Sequence, residues 1–145
     1  MHRDLTDDVF SDLVRERVNY FCECCHKNFR DGGLDCSHNV PRRHVATKWH
    51  PLCSVAHCRS CHRVFTDNPL QHTRWLDDYF GADLVNEMNL IAHTPVKWPK
   101  WQRLEIRTFY RGELKRLEAL RAKGVTKEIP FEQHEIMHVF SGGRP

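Results

Sequence analysis

Two Cys-x-x-Cys knuckles, Cys22-Glu23-Cys24-Cys25 and Cys58-Arg59-Ser60-Cys61, constrain this 145-residue chain more than any other feature. Each is short enough to present two thiolates to one ion. Two such pairs, 32 residues apart, are the usual source of a tetrahedral zinc site with four cysteine ligands. The spacing assigns Cys22, Cys25, Cys58 and Cys61 to structural Zn2+, with Cys24 as an alternative in the first knuckle. Seven cysteines, an odd number with Cys24, Cys36 and Cys53 outside the knuckle pairs, suit metal ligation in a reducing compartment better than a disulfide framework. If the knuckle region is loop-rich, an apparent zinc contribution of roughly 10–16 kcal/mol rivals a domain's whole net stability of about 5–15 kcal/mol.

The same knot places two histidines. His38 lies inside the loop that the ion closes and His62 follows the ligand Cys61 directly, so metal binding is expected to fix the two imidazoles relative to each other. One imidazole as general base and the other as ligand to a second, divalent ion is a phosphodiesterase arrangement. His44, His50 and His57 are further candidates for touching that ion or a phosphate.

Residues 22 to 69 resemble the core of HNH (His-Me finger, ββα-metal) endonucleases. The resemblance rests on the first knuckle, on Cys36-Ser37-His38 at a strand end, and on Cys58-Arg-Ser-Cys61-His62 opening a helix. A wider frame of Val14-Arg-Glu-Arg17, Arg42-Arg43, Lys48-Trp49, Pro51 and Thr66-Asp-Asn-Pro69 looks most like phage-encoded recombination nucleases of the NinG (Rap) kind. The resemblance implies an α+β fold: a small zinc-stapled ββα-metal core, a β-hairpin plus helix, surrounded by additional α-helices. It also implies DNA phosphodiester hydrolysis with 5′-phosphate products, His38 acting as base and His62 holding Mg2+ or another divalent ion. Two positions depart from the family pattern. Ser37 stands where many members carry an Asp or His metal ligand, with Asp35 and His44 as substitutes, and Cys53 stands where the middle Asn braces the loop of the base.

Charge is unevenly distributed. Residues 1–36 hold five basic and eight acidic groups, and residues 64–96 hold one and five. Between them, residues 37–63 carry Arg42, Arg43, Lys48, Arg59 and Arg63 with no acid, and residues 97–123 carry nine basic groups against three acidic. Positive charge concentrated on the His-rich core points to a polyanion partner, DNA, with Arg42, Arg43, Lys48 and Arg63 as phosphate contacts. No run of about 18 apolar residues exists and Met-His-Arg-Asp is not a signal sequence, so a soluble cytoplasmic protein without a membrane partner is expected.

The chain divides into an N-terminal packing helix (1–21), the zinc-bound core (22–69), a helical extension (70–124) and a C-terminal tail (125–145). Apolar residues from Leu5 to Val18 recur at helical spacing, with Arg15, Glu16 and Arg17 largely off the stripe. Lys27–Arg30 and Leu34–Val40 read as a hairpin around Asp31-Gly32-Gly33. Residues 40–54 read as a loop and Val55–Phe65 as the helix carrying Cys58, Cys61 and His62. Asn68-Pro69 opens a helix with Leu70, Trp75, Leu76, Tyr79 and Phe80 on its stripe, ended by Gly81, and Ala82–Ala92 forms the next. Trp101–Lys123 is a long amphipathic helix, apolar along Ile106, Phe109, Tyr110, Leu114, Leu117 and Leu120, that suits a DNA backbone or part of a homodimer interface.

Two rivals to the nuclease reading come from other classes. One is a catalytically silent zinc module that binds nucleic acid within a phage recombination or packaging assembly. The other is a metalloprotease built on His134-Glu-Ile-Met-His138, although only seven residues follow that motif.

Overall fold

The computed structural model describes residues 4–41 and 43–140, the last three as backbone. The described residues form a mixed α/β fold of five α-helices and one two-stranded antiparallel sheet. Helix α1 spans Leu5–Arg17, β1 Leu34–His38, β2 Ser54–Cys58, α2 Arg59–Asp67, α3 Pro69–Phe80, α4 Ala82–Ala92 and α5 Lys100–Ala122. Short 3-10 turns at Val45–Thr47, Pro51–Cys53 and Glu135–Phe140 complete the regular structure.

Helix α1 starts where the Asp4 carboxylate accepts the Thr6 N–H at 2.8 Å, and Asp7 and Asp8 sit in its first turn, where the helix dipole favours negative charge. Its stripe of Val9, Phe10, Leu13 and Val14 is buried against Ile106, Tyr110 and Leu117 of α5. The Phe10 and Tyr110 rings lie 5.5 Å apart, and Phe131 meets both edge-on. Leu5, by contrast, is 54% exposed and leaves the stripe.

The charges at the end of α1 turn inward. Glu16, expected off the buried stripe, is only 6% exposed and holds Arg121 at 3.3 Å and Arg30 at 3.2 Å. The Arg17 guanidinium donates to the carbonyls of Pro51 (2.8 Å) and Ser54 (2.6 Å), pinning the loop and β2 to the helix. Arg121 also donates to the Glu16, Arg17, Val125 and Lys127 carbonyls, so this basic residue of α5 is a structural clamp.

The strand pairing corrects the expected hairpin. β1 pairs with β2, in the register Leu34↔Cys58 to His38↔Ser54, and not with Lys27–Arg30. That earlier segment folds back locally. Cys22 N–H donates to Lys27 O, Phe29 N–H to Tyr20 O, and Phe21 bridges Asn28, so the first knuckle uses up its bonding groups. Gly32 (φ 123°) and Gly33 (φ 89°) do supply the reversal, but it directs the chain out of the knuckle into β1. Ser54–Cys58 is likewise a strand in place of a loop end and a helix start. All five of its residues are buried, and the helix begins at Arg59.

On the far side, Met88 and Ala92 of α4 pack on Val40 and Cys53, supporting the segment between the strands. No helix among the described residues is long and apolar enough to cross a membrane.

Candidate functional site

The four assigned cysteines converge. Their sulfurs lie within 4.8 Å of one another, with Cys25 and Cys58 at 3.9 Å. Sulfurs about 2.3 Å from a tetrahedral zinc would be about 3.8 Å apart, so the cluster has the size and donor set to hold a structural metal such as zinc. Backbone N–H groups of Cys25 and Cys58 point at the Cys22 sulfur at 3.5 and 3.3 Å, and that of Cys61 at the Cys58 sulfur at 3.5 Å. These donors favour thiolate charge. Burial, followed by the neighbouring Cys58, Cys22 and Cys24 sulfurs, holds the Cys61 thiol well above the ordinary range. A divalent cation at the centre reverses that balance, because it favours the thiolates.

The knuckles come from different elements. The first is a tight turn closed by His26 in the left-handed region (φ 63°), with its N–H on Cys22 O. The second caps α2, the Cys58 sulfur accepting at the helix start. Glu23 ties the first knuckle to the sheet and to α3: its carboxylate accepts the Ala56 N–H and the Tyr79 hydroxyl, each at 2.7 Å. Cys24 stands near Cys61 but lies outside the group of four.

A cleft of about 460 Å³ opens at His62, the residue after Cys61, and none of the four clustered cysteines lines it. His38 at the end of β1 and His62 in the first turn of α2 both line it. The His38 Nδ1 lies 3.2 Å from Ser54 Oγ, and the His62 Nδ1 lies 3.2 Å from Asp35 Oδ2. Helix α1 supplies the facing wall through Asp7, Ser11 and Arg15. These three recur every fourth residue, a polar stripe beside the apolar one that was readable from helical spacing.

The basic residues expected at DNA divide. Lys48 lines the cleft, 3.8 Å from Asp7, whose carboxylate also accepts the Trp49 indole N–H at 2.8 Å. Arg43 and Arg63 are exposed and do not line it, and Arg42 lies outside the described residues. Ser37 is buried (3% exposed) and is not on the cleft wall, whereas Asp35 is.

Cys53 is fully buried and its thiol is pushed up to about 12 by burial, so it remains protonated. The segment around Cys53 is held by Asn39, which donates through its backbone to Cys53 O (2.8 Å) and through its side chain to Leu52 O (3.0 Å). Spacing gave no sign of Ser54 or Asn39, because both act through the register of the sheet and the path of the loop.

The remaining histidines separate in the same way. His57 is fully buried against Trp75 (4.6 Å) and Phe65 (5.2 Å), with neither ring nitrogen hydrogen-bonded, and burial holds its pKa down to about 3. It faces α3 and is absent from the cleft lining. His50 caps the Pro51–Cys53 turn, and His44 lies against His93 at 5.4 Å. His134 accepts the Ile136 N–H and meets Phe109 edge-on, ahead of a 3-10 turn and not on an α-helix. The side chain of His138 lies outside the described residues.

No family model, curated protein or solved structure matches the chain.

Proposed function

We propose that the protein is a metal-dependent DNA endonuclease of the HNH type. The observation that carries this reading is that His38 and His62, from different elements, line one cleft, and that His62 directly follows Cys61 of a cysteine cluster suited to zinc. β1, β2 and α2 follow one another in the strand, strand, helix order of a ββα-metal core.

In this reading His38 takes the proton from a water attacking the phosphorus in line, as a general base. Ser54 holds the ring of that base against β2. His62 holds the divalent ion, Mg2+ in the simplest case, which as a Lewis acid supplies stabilisation of charge on the phosphoryl oxygens. Lys48 and Arg15 on the cleft wall offset the negative charge of the bound backbone, and Arg43 and Arg63 make phosphate contacts further out. A role in recombination or processing of phage or other mobile DNA follows from the wider sequence frame.

A plasmid-nicking assay with Mg2+, Mn2+ or brief chelation, run beside a gel shift, tests the proposal. His38→Ala is expected to lower the nicking rate by about 10²–10⁴-fold with DNA binding retained. Binding without nicking under every metal would favour a catalytically silent nucleic-acid-binding module. The specific observation on that side is Ser37, which is buried away from the cleft where a metal-ligating residue is usual.

A further inference from the structure

We infer that Asp35 is a positioning residue that fixes which nitrogen of His62 is offered to the cleft. The inference rests on the reading of His62 as the ligand of a divalent ion. The carboxylate and the imidazole come from β1 and α2, 27 residues apart, with Oδ2 3.2 Å from Nδ1. An ionised carboxylate only accepts hydrogen bonds, so a neutral His62 paired with it carries its proton on Nδ1 and keeps the lone pair on Nε2. A carboxylate behind a ligating imidazole orients the ring and raises its basicity.

The geometry favours this role over direct ligation by Asp35. Its second oxygen, Oδ1, lies 3.7 Å from Arg59 Nε, so each carboxylate oxygen faces a partner from the start of α2. An ion held on Nε2 would sit across the ring from Oδ2, beyond ligand distance of a carboxylate that faces Nδ1. As an acceptor for Nδ1–H, it acts without moving. The pair is also built into the fold: the register that sets Leu34 opposite Cys58 brings the second residue of β1 beside the first turn of the helix that follows β2.

The test uses the full-length, zinc-loaded chain with 15N-labelled histidine, and long-range proton–nitrogen correlations to read the ring tautomer. His62 in the unmodified protein is expected as the Nδ1–H form near neutral pH. Asp35→Ala should shift it toward Nε2–H, while Asp35→Asn, whose carbonyl can still accept, retains most of the original form. Mn2+ titrated into the same samples and followed by broadening of the His62 ring should bind about 10–100-fold more weakly to Asp35→Ala, the usual effect of losing an outer partner, and less weakly to Asp35→Asn. A proton found on Nε2 in the unmodified protein, or a tautomer indifferent to Asp35→Ala, would overturn the inference. So would an Asp35→Asn chain that keeps the tautomer yet loses Mn2+ as severely as Asp35→Ala, since that marks a direct ligand. A chain showing the expected tautomers and Mn2+ response but nicking no DNA would sink the nuclease reading and leave the assignment of Asp35 standing.

Discussion

His38 and Ser54 occupy the same register position of the two-stranded sheet, with the imidazole Nδ1 3.2 Å from the hydroxyl oxygen. The proposed base is thus held by the first residue of the partner strand, directly after Cys53.

That contact predicts a graded effect. A hydrogen bond of about 0.5–1.5 kcal/mol corresponds to a factor of roughly 2–13. Ser54→Ala should lower the nicking rate within that range and Ser54→Thr should recover most of it. Single-turnover rates across pH, beside a gel shift, check this; an unchanged rate and profile would remove Ser54 from the site.

Loss of the thiolate cluster should act on the whole fold. Cys58 contributes a candidate ligand, ends β2 and caps α2, so Cys58→Ser is expected to release metal and abolish the cooperative thermal transition. Strong chelation of the unmodified chain should do the same. Circular dichroism and metal analysis of the two samples provide the check, with a folded, metal-free chain as the contrary outcome.

Within α5, two arginines should behave oppositely. Arg121 is paired with Glu16 at side-chain exposures of 10% and 8% and donates to four backbone carbonyls, so Arg121→Ala leaves Glu16 to Arg30 alone and removes those donors; it should cost about 1.5–3 kcal/mol in urea unfolding. Arg111 is exposed, so Arg111→Ala should change stability by less than about 0.5 kcal/mol. If α5 lies along DNA, Arg111→Ala should also reduce the salt dependence of binding by about one phosphate contact.

His57 sets an acid limit on stability. Its folded pKa, about 3, lies below the ordinary 6.5 because burial disfavours the charged ring. Above pH 6.5 neither folded nor unfolded chain gains a proton there. As pH falls from 6.5 toward 3, the unfolded chain protonates and the folded one does not, so stability drops by up to about 1.4 kcal/mol per pH unit. Urea midpoints for the unmodified protein and His57→Phe between pH 7 and 5 should diverge by that slope. Thiolate protonation is common to both proteins and cancels in the comparison.

The four cysteines that could hold a metal were legible in the sequence because two thiols three residues apart form a local chelating unit whatever surrounds them. The helical stripes of α1 and α5, and the stop at Gly81, were legible for the same reason. Strand pairing was not. Lys27–Arg30 and the two glycines carry a genuine local reversal signal, yet bonding within the first knuckle takes those residues first, and Ser54–Cys58 becomes the partner of β1 from 16 or more residues away. Tertiary packing alone decided that Glu16 and Arg121 face inward, that His57 lies beneath Trp75 while His62 reaches the cleft, and that Asp35 and Ser54 stand behind the two imidazoles. Spacing along the chain specifies which groups can share one ion. Which side chains meet across a sheet or a helix pair depends on register and burial, and these exist only once the distant segments are packed together.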